Sequence, residues 1–252
     1  MEWVLRIIYH WYLFAIALVI AFSLAFLKNK RVIERYLTTG TMIIKEGSTG
    51  YGSASIMQGF GVGAGYTNVN NQLILLGSYD LIARTVDSLP FMNVEYITKG
   101  RFKTRNIYRN TPISVEYTQV DPAAYQHLFR CTVQEDGSLL INTFEEDYPF
   151  SYVTRYGEEL KTSLFTARIW PTNMLLNPGQ HIYFRFRDRS SLTEEFSARL
   201  QLNFVTDRST VLGIQLVGET PERDREFIDK LCDIYLLQNV ERKNMVAEKS
   251  IA

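Results

Sequence analysis

Glu145, Glu146 and Asp147 form the densest run of carboxylates in the chain. Paired carboxylates are what glycoside hydrolysis requires, one to protonate the leaving oxygen and one to serve as base or nucleophile. Neighbouring acids on a turn are ordinarily solvated charge, and spacing along the sequence does not report separation across a cleft. His10, His127 and His181 are isolated, with no second histidine, cysteine or acid at metal-ligand spacing, so no metal site is expected. Cys131 and Cys232 lie far apart and neither belongs to a CxxC pair. One disulfide and two free thiols both remain open, two buried small apolar side chains being the plainer expectation. No GxSxG nucleophile elbow occurs. The expectation is therefore a chain with no catalytic, cofactor-binding or metal residues.

GFGVGAG, from Gly59 to Gly65, has the composition of a phosphate-cradling loop. That chemistry needs a strand before it and a helix opening at the last glycine. Ser53 to Gln58 makes a poor strand, and the next helical pattern begins several residues late, so a glycine-rich loop from Gly47 to Gly65 is the reading. No GxxxxGK[ST] run is present. KGRFKTRNIYR, Lys99 to Arg109, mixes basic and aromatic residues and could meet an anionic polymer, lipid headgroups or a neighbouring subunit's acids; a solvated connection between helix and strand is the plainer reading. With 27 basic and 27 acidic residues the net charge is zero, which argues against a nucleic-acid binder.

The element that must position everything else is near the amino terminus. Ile7 to Leu27 is an uncharged apolar run, and as a helix it measures about 31 Å, matching a hydrocarbon core of about 30 Å. Tyr9, Trp11 and Tyr12 sit where aromatic rings favour the headgroup interface. Ser23-Leu24-Ala25 offers a small-x-small signal-peptide site, but the apolar run continues past it to Leu27. The reading is a membrane anchor. Lys28, Lys30 and Arg31 follow it, and the positive-inside rule on its own would place the main domain in the cytoplasm.

Beyond the anchor, Arg35 to Lys45 has strand composition. Asn70 or Asn71 can cap a helix running to Leu89, with Ile74, Leu81, Ile82, Thr85, Val86 and Leu89 on one face and Pro90 at its end. From Ile107 to Leu216 the text is strand-like, with runs such as Ile113 to Tyr117, Leu128 to Val133, Leu139 to Phe144, His181 to Phe186 and Ala198 to Phe204. Thr210 to Val217 alternates, with Leu212, Ile214 and Leu216 as the apolar face. Thr220 can cap a final helix with Pro221 at its first position; Phe227, Ile228, Leu231, Ile234 and Tyr235 make its buried stripe. That helix shows no stop signal before Ala252, which suggests a longer natural chain.

Four stretches, read in order, carry a resemblance: HWYLFAIALVIAF with its basic flank; ERYLTTGTMIIKE; NNQLILLGSYDLIARTVDSL leading into VEYITKGRFKTRNIYRNTP; and STVLGIQLVGETPERDREFIDKLCDIYLLQNVERKN. Together they resemble the chain-length determinant (Wzz-type) domain of bacterial polysaccharide co-polymerases, of the Bacteroidetes-like kind fused to a tyrosine autokinase. In the commoner pattern an acidic residue and a lysine stand where this chain has Leu73 to Gly77.

The resemblance implies an α+β fold. Residues 1–30 would be a cytoplasmic tip and transmembrane helix. Residues 31–252 would be a periplasmic α/β domain with a mixed or antiparallel sheet, a strand-rich insertion at about 107–200 and the start of a long helix at 221–252. It also implies an inner-membrane location with the amino terminus in the cytoplasm, against the flank charges. The function implied is non-catalytic: a homo-oligomeric subunit that sets chain length and supports export of O-antigen, capsule or exopolysaccharide. Its expected partners are a polymerase, an outer-membrane exporter and the polysaccharide itself. Any kinase, the coiled helix and a second membrane span would lie beyond Ala252. The alternatives are a single-pass extracytoplasmic binding or sensor module, and a membrane-anchored glycan hydrolase using Glu145, Glu146 or Asp147.

Overall fold

The computed structural model describes residues 9, 11–32, 34–43, 71–100, 103–145, 150–174, 176–206 and 211–251. Helix α1 (Trp11–Arg31) is apolar all round, and its Trp11–Lys30 window has a mean hydropathy of 2.1 with none of it buried in the protein. It is long and apolar enough to cross a membrane. Five residues after it, strand β1 (Tyr36–Ile43) begins, so the strand starts within about 18 Å of the helix end.

The fold is α+β, and among the described residues every strand pairing is antiparallel. After a helical segment at 71–76 come α2 (Tyr79–Asp87) and the hairpin β2 (Val94–Lys99) and β3 (Thr104–Ile107). Then follow β4 (Ile113–Val120), β5 (Phe129–Val133), β6 (Leu139–Thr143), β7 (Ser151–Thr154), β8 (Glu159–Lys161), β9 (Phe165–Pro171) and β10 (His181–Phe186). Helix α3 (Arg189–Arg199), strands β11 (Leu200–Phe204) and β12 (Val211–Gly218), and helix α4 (Pro221–Ile251) complete the chain.

Two cores result. In the first, a six-stranded sheet of order β3-β2-β10-β5-β6-β7 and a three-stranded sheet of order β4-β9-β8 enclose alternate apolar side chains. Phe129 sits at its middle, with the rings of Phe150, Phe165, Phe184 and Phe186 centred 5.0 to 5.9 Å away. In the second, a sheet of order β1-β12-β11 is covered on one face by helices. Leu212, Ile214 and Leu216 are fully buried under Phe227, Ile228, Leu231 and Tyr235 of α4, as the alternation and the helical stripe predict, while Ile234 of that stripe is only half-buried. Phe196 of α3 stacks on Phe227 with ring centres 3.9 Å apart, which locks those two helices together.

The expected helix from Asn70 or Asn71 to Leu89 is interrupted. The Gly77 amide closes the first segment on the Leu73 carbonyl, and Ser78 then starts α2 by accepting from the Leu81 amide. The second half keeps the predicted face in Leu81, Ile82, Thr85 and Val86, while Ile74 is exposed. The helix stops at Asp87 with Ser88 as its cap, ahead of Pro90, which opens a 3-10 turn instead. Ala198 and Arg199 belong to α3 and not to a strand; Asp188 caps that helix by accepting from the Ser191 amide. The glycine-rich loop, Gly47 to Gly65, lies outside the described residues.

One glycine decides how α4 can lie. A Cβ on Gly40 would stand 2.7 Å from Cγ2 of Ile228, and a β-branched side chain has little freedom to retreat. Replacing Gly40 by alanine is expected to destabilise the protein by about 1–3 kcal/mol through overpacking. Adding Ile228→Ala should recover less than it removes by cavity but make the Gly40→Ala step nearly neutral, a coupling that a thermal-unfolding double-mutant cycle reads directly.

Candidate functional site

Among the described residues, the largest connected set of ion pairs lies where the two cores meet. Glu95 of β2, its side chain 11% exposed, accepts from Nε and Nη2 of Arg185 on β10 at 3.1 and 2.5 Å, and from Nη1 of Arg187 at 3.3 Å. Arg187 reaches on to Glu195 of α3 at 2.9 Å. Glu195 also meets Arg199, four residues along the same helix, at 2.9 Å, and Arg223 at 3.3 Å. Arg199 then donates to both carboxylate oxygens of Asp224 on α4, and its Nε donates to the Val217 carbonyl at 2.9 Å. The chain of charges thus runs from the six-stranded sheet through α3 to the root of α4.

Local geometry explains each placement. Glu95 and Arg185 are register partners on adjacent strands, so their side chains share one face. Glu195 and Arg199 share a helix face by i,i+4 spacing. Gly218 must lack a side chain, because a Cβ there would overlap Arg199 Nη2 and Asp224 Oδ2. Arg223 and Arg199 stack over the Phe196 ring, with guanidinium carbons 4.9 and 5.4 Å from its centre.

The electrostatics divide the acids. Burial raises the Glu95 carboxyl, but Arg185, Arg187 and Arg223 outweigh it and hold the group below the ordinary glutamate range. Asp224 goes the other way: burial of a side chain only 2% exposed pushes its carboxyl up despite Arg199. The cleft beside this network holds about 240 Å³ and is lined mainly by charged and polar side chains, including Arg35, Asn106 and Glu219. Small-molecule sites are ordinarily about 300–1,000 Å³ and mostly apolar, so this is the geometry of an ionic joint.

The candidates read from sequence fall elsewhere. Glu145 is exposed, and the side chain it is brought to is His127, at 3.4 Å. Glu146, Asp147 and His10 lie outside the described residues. His181 is exposed on β10, its ring 5.3 Å from that of Tyr183. Both thiols are free, Cys131 buried and Cys232 half-buried; burial pushes the first up to about 12, and burial with Asp229 and Asp233 pushes the second up to about 11. Among the described residues no three of His, Cys, Asp and Glu gather as a metal site would require.

Lys99 to Arg109 runs from the end of β2 through β3, not from a helix to a strand, and its charges among the described residues are engaged. Lys99 stands 3.2 Å over the Phe144 ring, and Lys103 reaches Glu34 just past α1 at 3.0 Å. Asn106 donates to Glu95, while Tyr108 at 2.7 Å and Arg109 both donate to Glu226 of α4. Arg101 and Phe102 lie outside the described residues.

No family model matches the chain, and no curated protein does.

The network carries a pH signature. Because the folded Glu95 pKa is below its unfolded value, the stability it contributes is fully present above about pH 4.3 and is lost as pH falls through the lower folded value. Glu95→Gln is expected to cost about 1.5–3 kcal/mol at neutral pH. The gap to the parent protein should close on acidification below about pH 4, as thermal unfolding of the detergent-solubilised protein across pH will show.

Proposed function

We propose that this chain is the membrane-proximal, Wzz-type part of a polysaccharide co-polymerase: a non-catalytic subunit that regulates chain length and supports export of a surface polysaccharide. One observation supports it above the others. β1, the strand after the anchor, pairs along its whole length with β12, so that Tyr36 stands opposite Gly218 and α4 starts three residues on. The root of a 31-residue helix is thereby held beside the strand that leaves the anchor. From that root the helix extends about 46 Å, the arrangement expected of a tethered scaffold.

The charged joint fits the same reading. It fixes the direction in which the strand-rich body and α4 leave the anchor-proximal sheet, and its carboxylates are bound by arginines and not aimed at open space. The amino terminus would be cytoplasmic and residues from 31 onward periplasmic, in the bacterial inner membrane. A polymerase, an outer-membrane exporter, the polysaccharide and further copies of the chain are the partners this role requires. No cofactor or metal enters it.

Deletion of the gene should change the length distribution of surface polysaccharide on a gel and lower its amount, with both restored by the plasmid-borne gene. An unchanged ladder of unchanged intensity would refute the role and favour a single-pass binding or sensor module.

A further inference from the structure

The outward face of the β4-β9-β8 sheet is polar along every strand except for one ring. Alternation turns Val115, Leu160, Ala167 and Ile169 into the core, and so turns Glu116, Glu159, Arg168 and Trp170 out. Trp170 is 40% exposed, although tryptophan is on average a highly buried side chain. It belongs to neither core. The residues that share its face, Ser114 and Glu116 on β4, Thr166 and Arg168 on β9, Glu159 and Lys161 on β8, are all polar.

The ring is held in place without being covered. Its indole N–H donates to Glu116 on the neighbouring strand at 2.9 Å. Its six-membered ring lies on the turn between β7 and β8, where a Cβ on Gly157 would stand 2.9 Å from Cζ3. Gly157 has a φ of +79°, which glycine adopts without strain, so the turn both bends there and leaves room for the ring. The turn is closed in its own right: the Gly157 amide donates to the Ile169 carbonyl at 2.9 Å, and Glu158 accepts from the Arg155 amide at 3.2 Å. A side chain fixed in this way has little freedom left to lose when something stacks on it. In register, Arg168 stands opposite Glu116 on one side and Glu159 on the other, so acceptors and donors alternate beside the ring.

We infer that this face is a glycan-binding platform, with Trp170 stacking on the C–H face of a pyranose ring while Glu116, Glu159 and Arg168 take its hydroxyls. A pyranose carries C–H groups on one face, which the negative face of an aromatic ring attracts. Its rim carries hydroxyls, each a donor and an acceptor, which carboxylates and a guanidinium can both satisfy. A protein partner fits this face poorly. The centre of a protein interface is depleted in charge and surrounds its aromatic anchor with further packed contact, whereas here acids and bases stand directly beside a single ring. A simple ion fits poorly too, because Glu116 and Glu159 are balanced by Arg168 and Lys161. The inference rests on the functional reading above only for the source of the glycan, the surface polysaccharide. It assigns the contact to the strand-rich body and not to the ionic joint or α4.

The test uses the full chain in nanodiscs prepared without sugar-based detergent, and oligosaccharides cut from the surface polysaccharide of the organism that carries the gene. Trp3, Trp11 and Trp170 are the three tryptophans of the chain, so with Trp3→Phe and Trp11→Phe the emission reports Trp170 alone. The saccharide should shield that emission from iodide quenching in a saturable way. In calorimetric titrations Trp170→Ala should weaken binding by about tenfold or more, and Trp170→Phe by no more than about threefold. Tyr79→Ala, which removes an exposed ring on α2, should leave binding unchanged. Absence of saturable shielding, undiminished binding by Trp170→Ala, or an equal loss in Tyr79→Ala overturns the inference. The shielding measurement leaves the site intact, so it decides the matter even where Trp170→Ala fails to fold. Trp170-dependent binding in an organism whose polysaccharide ignores deletion of the gene keeps the platform and removes the function. A gene-dependent polysaccharide ladder without shielding of Trp170 removes the platform alone.

Discussion

Burying Asp224 is the constraint on which the rest of the structure turns. A carboxylate removed from water costs several kcal/mol unless a cation and hydrogen bonds replace its hydration. Here the replacement is Arg199, whose fork spans from α3 to the first turn of α4. That demand fixes the neighbours. α3 must end where Arg199 can reach, β12 must end in a glycine beneath the pair, and Phe196 must stack on Phe227 to hold the helices at that spacing. None of these choices is independent of the others.

The same charges continue into the second core through Glu195, Arg187 and Glu95. Two apolar cores could attach through further apolar surface, which slides and rotates at little cost. Charge pairs of defined geometry do not. Replacing such a network by apolar residues can leave stability equal or greater, so its contribution is best understood as direction. It sets where the strand-rich body and α4 point relative to the sheet that follows the anchor.

The parts of the fold legible in the sequence are those governed by periodicity. β12 declared its inner face through Leu212, Ile214 and Leu216, and α4 declared its stripe through Phe227, Ile228, Leu231 and Tyr235. α3 was hidden because RSSLTEEFSAR has only Leu192 and Phe196 as large apolar residues, one turn apart, too few for a helical stripe. The break at Gly77 was hidden because Gly77-Ser78 is tolerable inside a helical pattern and marks a cap only once Ser78 is seen to accept from Leu81. The ionic joint was the least legible feature. Its members span Glu95 to Asp224, and only Glu195 with Arg199 carry a local spacing signal. The acids that looked most prominent, beginning at Glu145, drew attention through adjacency, which says nothing about burial.

Charge on the edge strands divides the protein along the same line as the joint. Three of the four edge strands of the strand-rich body carry charge, as Arg105, Glu116, Glu159 and Lys161, and the fourth, β7, is four residues long. β1 and β11, the outer strands of the sheet nearest α1, carry none. An uncharged edge strand in a freely diffusing protein is an aggregation hazard, because copies approach in every orientation. A helix set in a membrane would remove that freedom: copies would move in a plane and keep one face toward the bilayer. Under that restriction an uncharged edge exposes its hydrogen-bonding groups to few wrong partners. The apolar helix at Trp11–Lys30, were it to cross a membrane, would make the uncharged strand that follows it tolerable.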